Sequence, residues 1–130
     1  MTENELATIV VDTALGIHRK LGPGLLESAY ESILAYELGK KGLVIERQVP
    51  VPLIWDEMLI AESYRIDILV EKKLIVELKS VEKLIPVHKK QVITYLKVSG
   101  LKLGLLINFG AAIIKEGIVR LVNDLDEGLF

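Results

Sequence analysis

Tyr64-Arg65-Ile66-Asp67-Ile68-Leu69-Val70-Glu71-Lys72-Lys73-Leu74-Ile75-Val76-Glu77-Leu78-Lys79-Ser80 is the stretch that decides how this chain folds. Two apolar, β-branched runs flank the charged triplet Glu71-Lys72-Lys73, the pattern of strand, turn and strand. With those three residues as the loop, Val70 pairs with Leu74 and Asp67 falls opposite Glu77. Alternation along a strand then sends Glu77 and Lys79 to one face, and direct pairing brings Asp67 to it. The other face is expected to carry Ile66, Ile68, Leu74, Val76 and Leu78. Two carboxylates and an ammonium thus meet on an otherwise apolar hairpin.

A carboxylate in apolar surroundings must pair, bind a cation or take up a proton. Two together repel, and a hard divalent cation such as Mg²⁺ or Mn²⁺ removes the repulsion. Lys79 could then hold a water or stabilise charge on a phosphate. The plainer reading is a solvated hairpin edge with a Glu–Lys pair, worth at most about 1 kcal/mol. On these residues alone the two readings stand level.

Outward from the hairpin, 130 residues that are 51% hydrophobic suffice for a single domain with a sizeable core. The net charge of −2 gives no global attraction to nucleic acid, so any such binding needs a local basic patch. There are no cysteines and only two histidines, His18 and His88, which argues against disulfides, thiol chemistry and a nitrogen-ligated zinc site. No apolar run is long enough to span a bilayer, and no secretory signal is seen, so a cytoplasmic protein is expected.

Helical periodicity runs from Asn4 to Leu21, and Leu21-Gly22-Pro23-Gly24 breaks it. A second helix is expected over Leu25–Lys40 with Leu26, Ala29, Tyr30, Ile33 and Leu34 on one face; Glu27 in its first turn suits the helix dipole. Leu43–Trp55 reads as a strand whose Pro50 and Pro52 mark an edge. Asp56-Glu57 is a turn, and Met58–Val70 and Leu74–Lys79 complete a three-strand meander. After a connection ending at Pro86, Val87–Ser99 is helical, with His88, Gln91 and Tyr95 along one stripe. Lys83, Lys89 and Lys90 lend that region positive charge, although most such lysines are simply solvated. Lys102–Phe109, with Leu103, Leu105, Leu106 and Ile107, reads as a strand buried on both faces. Ile113–Val122 suggests a last hairpin or short strands, and Asn123–Phe130 a loose acidic tail apart from Leu129 and Phe130. A helix crossing from the meander to the buried strand makes a mixed α/β sheet.

This order of elements, with Asp67, Glu77-Leu78-Lys79 and then Gln91 and Tyr95, resembles the PD-(D/E)XK nuclease superfamily. Within it the chain is similar to the GxxExxY family, spelled here by Gly24-Leu25-Leu26-Glu27-Ser28-Ala29-Tyr30. The likeness spans Ile17 to Val122 and takes in Leu105-Leu106-Ile107-Asn108-Phe109. Each motif alone is weak; the ordered set is strong. The leading Pro-Asp pair of the superfamily is reduced here to Ile66-Asp67.

The resemblance implies a restriction-endonuclease-like core and Mg²⁺- or Mn²⁺-dependent cleavage of nucleic acid, DNA before RNA. It implies Asp67 and Glu77 as metal ligands, with the Leu78 carbonyl and Glu27 as further ones, and Lys79 beside the attacking water. Gln91 and Tyr95 are implied near the scissile phosphate, while Tyr30 packs; His88, Lys89 and Lys90, by their place on the same helix and their charge, are the further nucleic-acid contacts expected. A non-catalytic binding protein of the same fold is the rival. A self-associating module, suggested by the mean hydropathy of +0.41, is the third reading.

Overall fold

The computed structural model describes residues 1–125, with the side chains of 61–63 excepted. Helices α1 (Glu3–Leu21) and α2 (Glu27–Lys40) precede strands β1 (Ile45–Trp55), β2 (Met58–Val70) and β3 (Leu74–Lys79). Helix α3 (Pro86–Ser99) then crosses to β4 (Leu103–Asn108), and a short 3₁₀ turn, Ile114–Gly117, leads into β5 (Ile118–Val122). The five strands lie side by side in chain order. Only β3 and β4 run parallel, as a helical crossover requires. The mixed α/β architecture is therefore the one expected. Of the last hairpin or short strands expected over Ile113–Val122, a short strand is what forms: Ile114–Gly117 coils into a 3₁₀ turn and the single strand β5 pairs with β4.

Local chemistry sets the element ends. Thr2 and Glu5 form a reciprocal capping box at the start of α1, Pro86 opens α3, and Gly100 closes it at φ 75°. Asp56 and Glu57 both take positive φ, the twist that a tight hairpin needs. Strand β1 is one edge of the sheet, which is where Pro50 and Pro52 can sit without breaking a ladder.

Helices cover both faces of the sheet. Leu6, Val10, Ala14 and Ile17 of α1 and Tyr30, Leu34 and Leu38 of α2 pack on Ile68, Val70, Leu74, Val76 and Leu78. Val92, Tyr95 and Leu96 of α3 pack on Leu69, Ile75 and Leu106 from the other side. Two expectations change here. Ile66 joins the α3 layer, away from Ile68; between them the β1–β2 pairing passes over Gln48 and Asp67, and Gln48 has φ 50°, so the alternation is interrupted there. On α2 the buried face includes Glu31 and Leu38, whereas Leu26 precedes the helix and is exposed.

At the end of β4, the buried Asn108 amide clamps the chain after β3. Its Oδ1 accepts from Val81 N–H at 3.0 Å and its Nδ2 donates to the Val81 carbonyl at 2.9 Å. Gly110 makes that approach possible: a Cβ there would lie 2.3 Å from the Val81 carbonyl oxygen. Asn123 is held too, donating to the carbonyls of Leu96 and Leu101, so the expected loose tail does not begin there. Leu129 and Phe130 lie outside the described residues. Gly110→Ala is expected to destabilise the fold by about 1–3 kcal/mol through forced backbone displacement, measurable as a lowered urea midpoint at unchanged slope.

Candidate active site

The hairpin register is the one expected as far as it extends. Val70 pairs with Leu74, Leu69 with Ile75 and Ile68 with Val76, and there the ladder ends. At the next position the side chains take over from the backbone. Asp67 N–H donates to Glu77 Oε1 at 2.9 Å, and Leu78 N–H donates to Asp67 Oδ2 at 2.9 Å. Each carboxylate thus satisfies a donor on the opposite strand, and the strands fork around the pair. A strand residue sends its N–H and C=O to the same side, so the Leu78 carbonyl faces the fork as well.

Burial and repulsion act together on this pair. Glu77 is 3% exposed. Its carboxyl is pushed up to about 9, first by burial and then by the Asp67 charge, against the Asp67 N–H bond and the Lys79 ammonium. A side-chain contact with Asp67 adds to the rise, so Glu77 keeps its proton at neutral pH.

Residues of both helical layers meet at the fork. Glu27, the first residue of α2, is raised above the usual carboxylate range by partial burial. Lys79 and the Ser80 N–H oppose that rise, whereas Asp67 and Glu31 add to it. Lys79 acts electrostatically on Glu77, Glu27 and His88. From α3, the Tyr95 phenol is pushed up to about 12, chiefly by burial and next by Glu77 and Asp67. Gln91 is hydrogen-bonded to Tyr95. Desolvation, and after it Lys79, lowers His88, whose Nδ1 accepts from Ile85 N–H at 3.1 Å and so caps α3.

The lysines divide. Lys90 borders a groove with Tyr64, Gln91 and Tyr95. Lys89 lines a larger concavity of about 720 Å³ that also touches Lys90, Asn108 and the 111–119 segment but neither Asp67 nor Glu77. Expected members Asp67, Glu77, Leu78, Lys79, Glu27, Gln91 and Tyr95 are therefore gathered, His88 stands at the rim, and Lys89 lies apart.

Three neighbours were not expected from the sequence. Glu31, one turn after Glu27, is buried; its Oε2 accepts from Arg47 Nε at 2.9 Å and its Oε1 from Gln48 Nε2 at 2.6 Å. The same Gln48 nitrogen lies 3.2 Å from Asp67 Oδ1, tying α2 to the fork. The i, i+4 spacing of Glu27 and Glu31 was the available signal. Tyr64, whose ring centroid lies 5.9 Å from that of Tyr95, carried none.

The donor set suits a divalent cation in its chemistry. Asp67 and Glu77 are hard oxygen donors brought together against their mutual repulsion, and the Leu78 carbonyl faces the same opening. Among the described residues, however, no three Asp, Glu, His or Cys side chains are close enough to hold an ion as they stand. Carbonyl or water oxygens would have to complete the shell.

A family model matches residues 4–121, and its description is the PD-(D/E)XK nuclease superfamily. The chain belongs to that superfamily, which implies a nucleic-acid substrate and whose members generally depend on a divalent metal. Neither a curated protein nor a solved structure gives a match. No helix among the described residues is long and apolar enough to cross a membrane.

The raised Glu77 carboxyl predicts how stability follows pH. Between the ordinary carboxyl value of 4.5 and about 9, folded Glu77 keeps a proton that the unfolded chain has released. The folded state then binds more protons, so in chelator the stability falls as pH rises through that window and levels off above it. Glu77→Gln, which keeps the acceptor for Asp67 N–H without the charge, is expected to reduce this fall by more than about 1 kcal/mol, the equivalent of one pKa unit. Urea titrations at pH 6 and pH 9 read the difference.

Proposed function

We propose that the chain is a single-domain Mg²⁺-dependent nuclease of the GxxExxY branch, hydrolysing phosphodiester bonds of DNA in preference to RNA. The observation that carries this reading is the forked pair itself, two carboxylates held together by reciprocal backbone bonds beside Lys79. Asp67, Glu77 and the Leu78 carbonyl would hold the cation, with Glu27 reaching it through water. A bound dication neutralises the scissile phosphate and lowers the pKa of a water.

The protein's own groups do the positioning. Asp67 and Glu77 keep their orientation through Leu78 N–H and Asp67 N–H, and Gln48 fixes the remaining Asp67 oxygen. Lys79 orients the attacking water and offers positive charge to the phosphate. Gln91 and Tyr95 donate to phosphate oxygens from α3, and Lys90 attracts the flanking backbone. Water adds to phosphorus, one P–O ester bond breaks, and the products carry a phosphate on one end and a hydroxyl on the other.

Cleavage of DNA and RNA oligonucleotides with Mg²⁺ or Mn²⁺ tests the proposal. Glu77→Ala and Asp67→Ala are expected to abolish cleavage, and Lys79→Ala to slow it by about 10²–10⁴-fold. Wild-type rates in Glu77→Ala would refute it. Divalent ions should also raise the melting temperature of the wild type more than that of Glu77→Gln, since they bind only the charged pair.

One observation favours self-association besides. The β1–β2 tip exposes Ile54, Trp55, Met58 and Leu59 together. Light scattering that shows a dimer in the wild type and a monomer in Trp55→Ser would assign that tip to an interface between copies.

A further inference from the structure

The groove between β2 and α3 holds more than the phosphate contacts assigned to Lys90, Gln91 and Tyr95, because Tyr64 and Thr94 line it as well. Tyr64, Val87, Lys90, Gln91, Thr94 and Tyr95 line a concavity of about 430 Å³, within the range of small-ligand sites. One wall is aromatic and open: Tyr64 is 51% exposed and its ring lies tilted, at 56°, against the buried Tyr95. Tyr95 in turn responds to Glu77 and Asp67, so the groove adjoins the fork. The other wall supplies one ammonium, one amide and one hydroxyl, from Lys90, Gln91 and Thr94.

An exposed ring beside a single cation and two hydrogen-bonding side chains matches one nucleotide: a base on the ring, its phosphate near the lysine. A base paired within a duplex has no free face to offer. We infer that this groove is a stacking platform for one unpaired nucleobase next to the scissile phosphate, and that the preferred substrate is a single strand, flap or splayed end. Tyr64 supplies the stacking surface, Tyr95 backs it, and Lys90 anchors the phosphate. This rests on the nuclease reading for the identity of the ligand, but the platform is measured without catalysis.

Binding of labelled oligonucleotides in EDTA, where no cleavage occurs, is the test. Oligo-dT and oligo-U should bind more tightly than a blunt duplex of equal length, and the comparison of the two single strands separates DNA from RNA. Tyr64→Ala should weaken single-strand binding by about 5- to 150-fold, the loss of one stacked base, and leave duplex binding unchanged. Tyr64→Phe should bind as the wild type does, because the ring face is what counts. An unchanged single-strand affinity in Tyr64→Ala, or equal losses for single strand and duplex, overturns the platform. Metal-dependent cleavage of the same oligonucleotides by the wild type, measured separately, shows whether the nuclease reading stands when the platform falls.

Discussion

Everything at the candidate site depends on how the β2–β3 ladder stops. An antiparallel pair would ordinarily continue its exchange of N–H and C=O, but at Asp67 and Glu77 the side-chain oxygens take the donors instead. Satisfying those two N–H groups with carboxylates avoids the desolvation cost of leaving them unpaired. The cost reappears as charge: two acidic groups in a protected place, one of which keeps its proton to neutrality. The fork is thereby stable in two conditions, with Glu77 protonated or with a dication. It also opens the sheet at one point, so that Glu27 and Glu31 from one helical layer and Tyr95 from the other reach the same place.

The spacing of Gly24, Glu27 and Tyr30 acquires a physical reason from the loop before α2. Tyr30 is buried and stacked on Phe109, with ring centroids 4.4 Å apart. Its hydroxyl donates to the Gly22 carbonyl and accepts from Leu25 N–H. Ser80 Oγ donates to the Leu25 carbonyl at 2.8 Å, so the same loop is tied to the end of β3. Glu27 follows directly, held where its carboxylate feels Lys79 and the Ser80 N–H. Tyr30 therefore does more than fill the core. It fixes the loop that delivers Glu27 to the fork.

The sequence was most informative where a local rule and a global one agreed. Val70 opposite Leu74, and so Asp67 beside Glu77, followed from a short charged turn and strand alternation, and both held. Ile66 failed because alternation assumes unbroken pairing, whereas the β1–β2 ladder passes over Gln48 and Asp67, and the positive φ of Gln48 has no signature in a glutamine. Glu31 was hidden for a related reason. A carboxylate on the inner face of a helix contradicts helix patterning unless its partners are known, and Arg47 and Gln48 lie on a strand of unknown register. Tyr64 could not be recognised because its neighbour Tyr95 is distant in sequence. What was missed is what tertiary structure alone brings together.

The charge balance ties these features into one account of binding. The chain carries a net charge of −2, and its candidate site is acidic at the centre, so the unassisted protein repels the phosphates it is proposed to cut. Lys79 and Lys90 offset this only locally, one beside the pair and one on the groove. A dication that displaces the Glu77 proton raises the charge at the fork by about one, taking the carboxyl pair from about one negative charge to about neutral with the Lys79 ammonium still beside it. Phosphate affinity and metal affinity are then the same electrostatic event seen from two sides, and each should strengthen the other. An exposed aromatic face needs no such assistance, since stacking is indifferent to the sign of the centre. The groove beside Tyr64 thus supplies the part of substrate affinity that the acidic fork withholds until it is charged with metal.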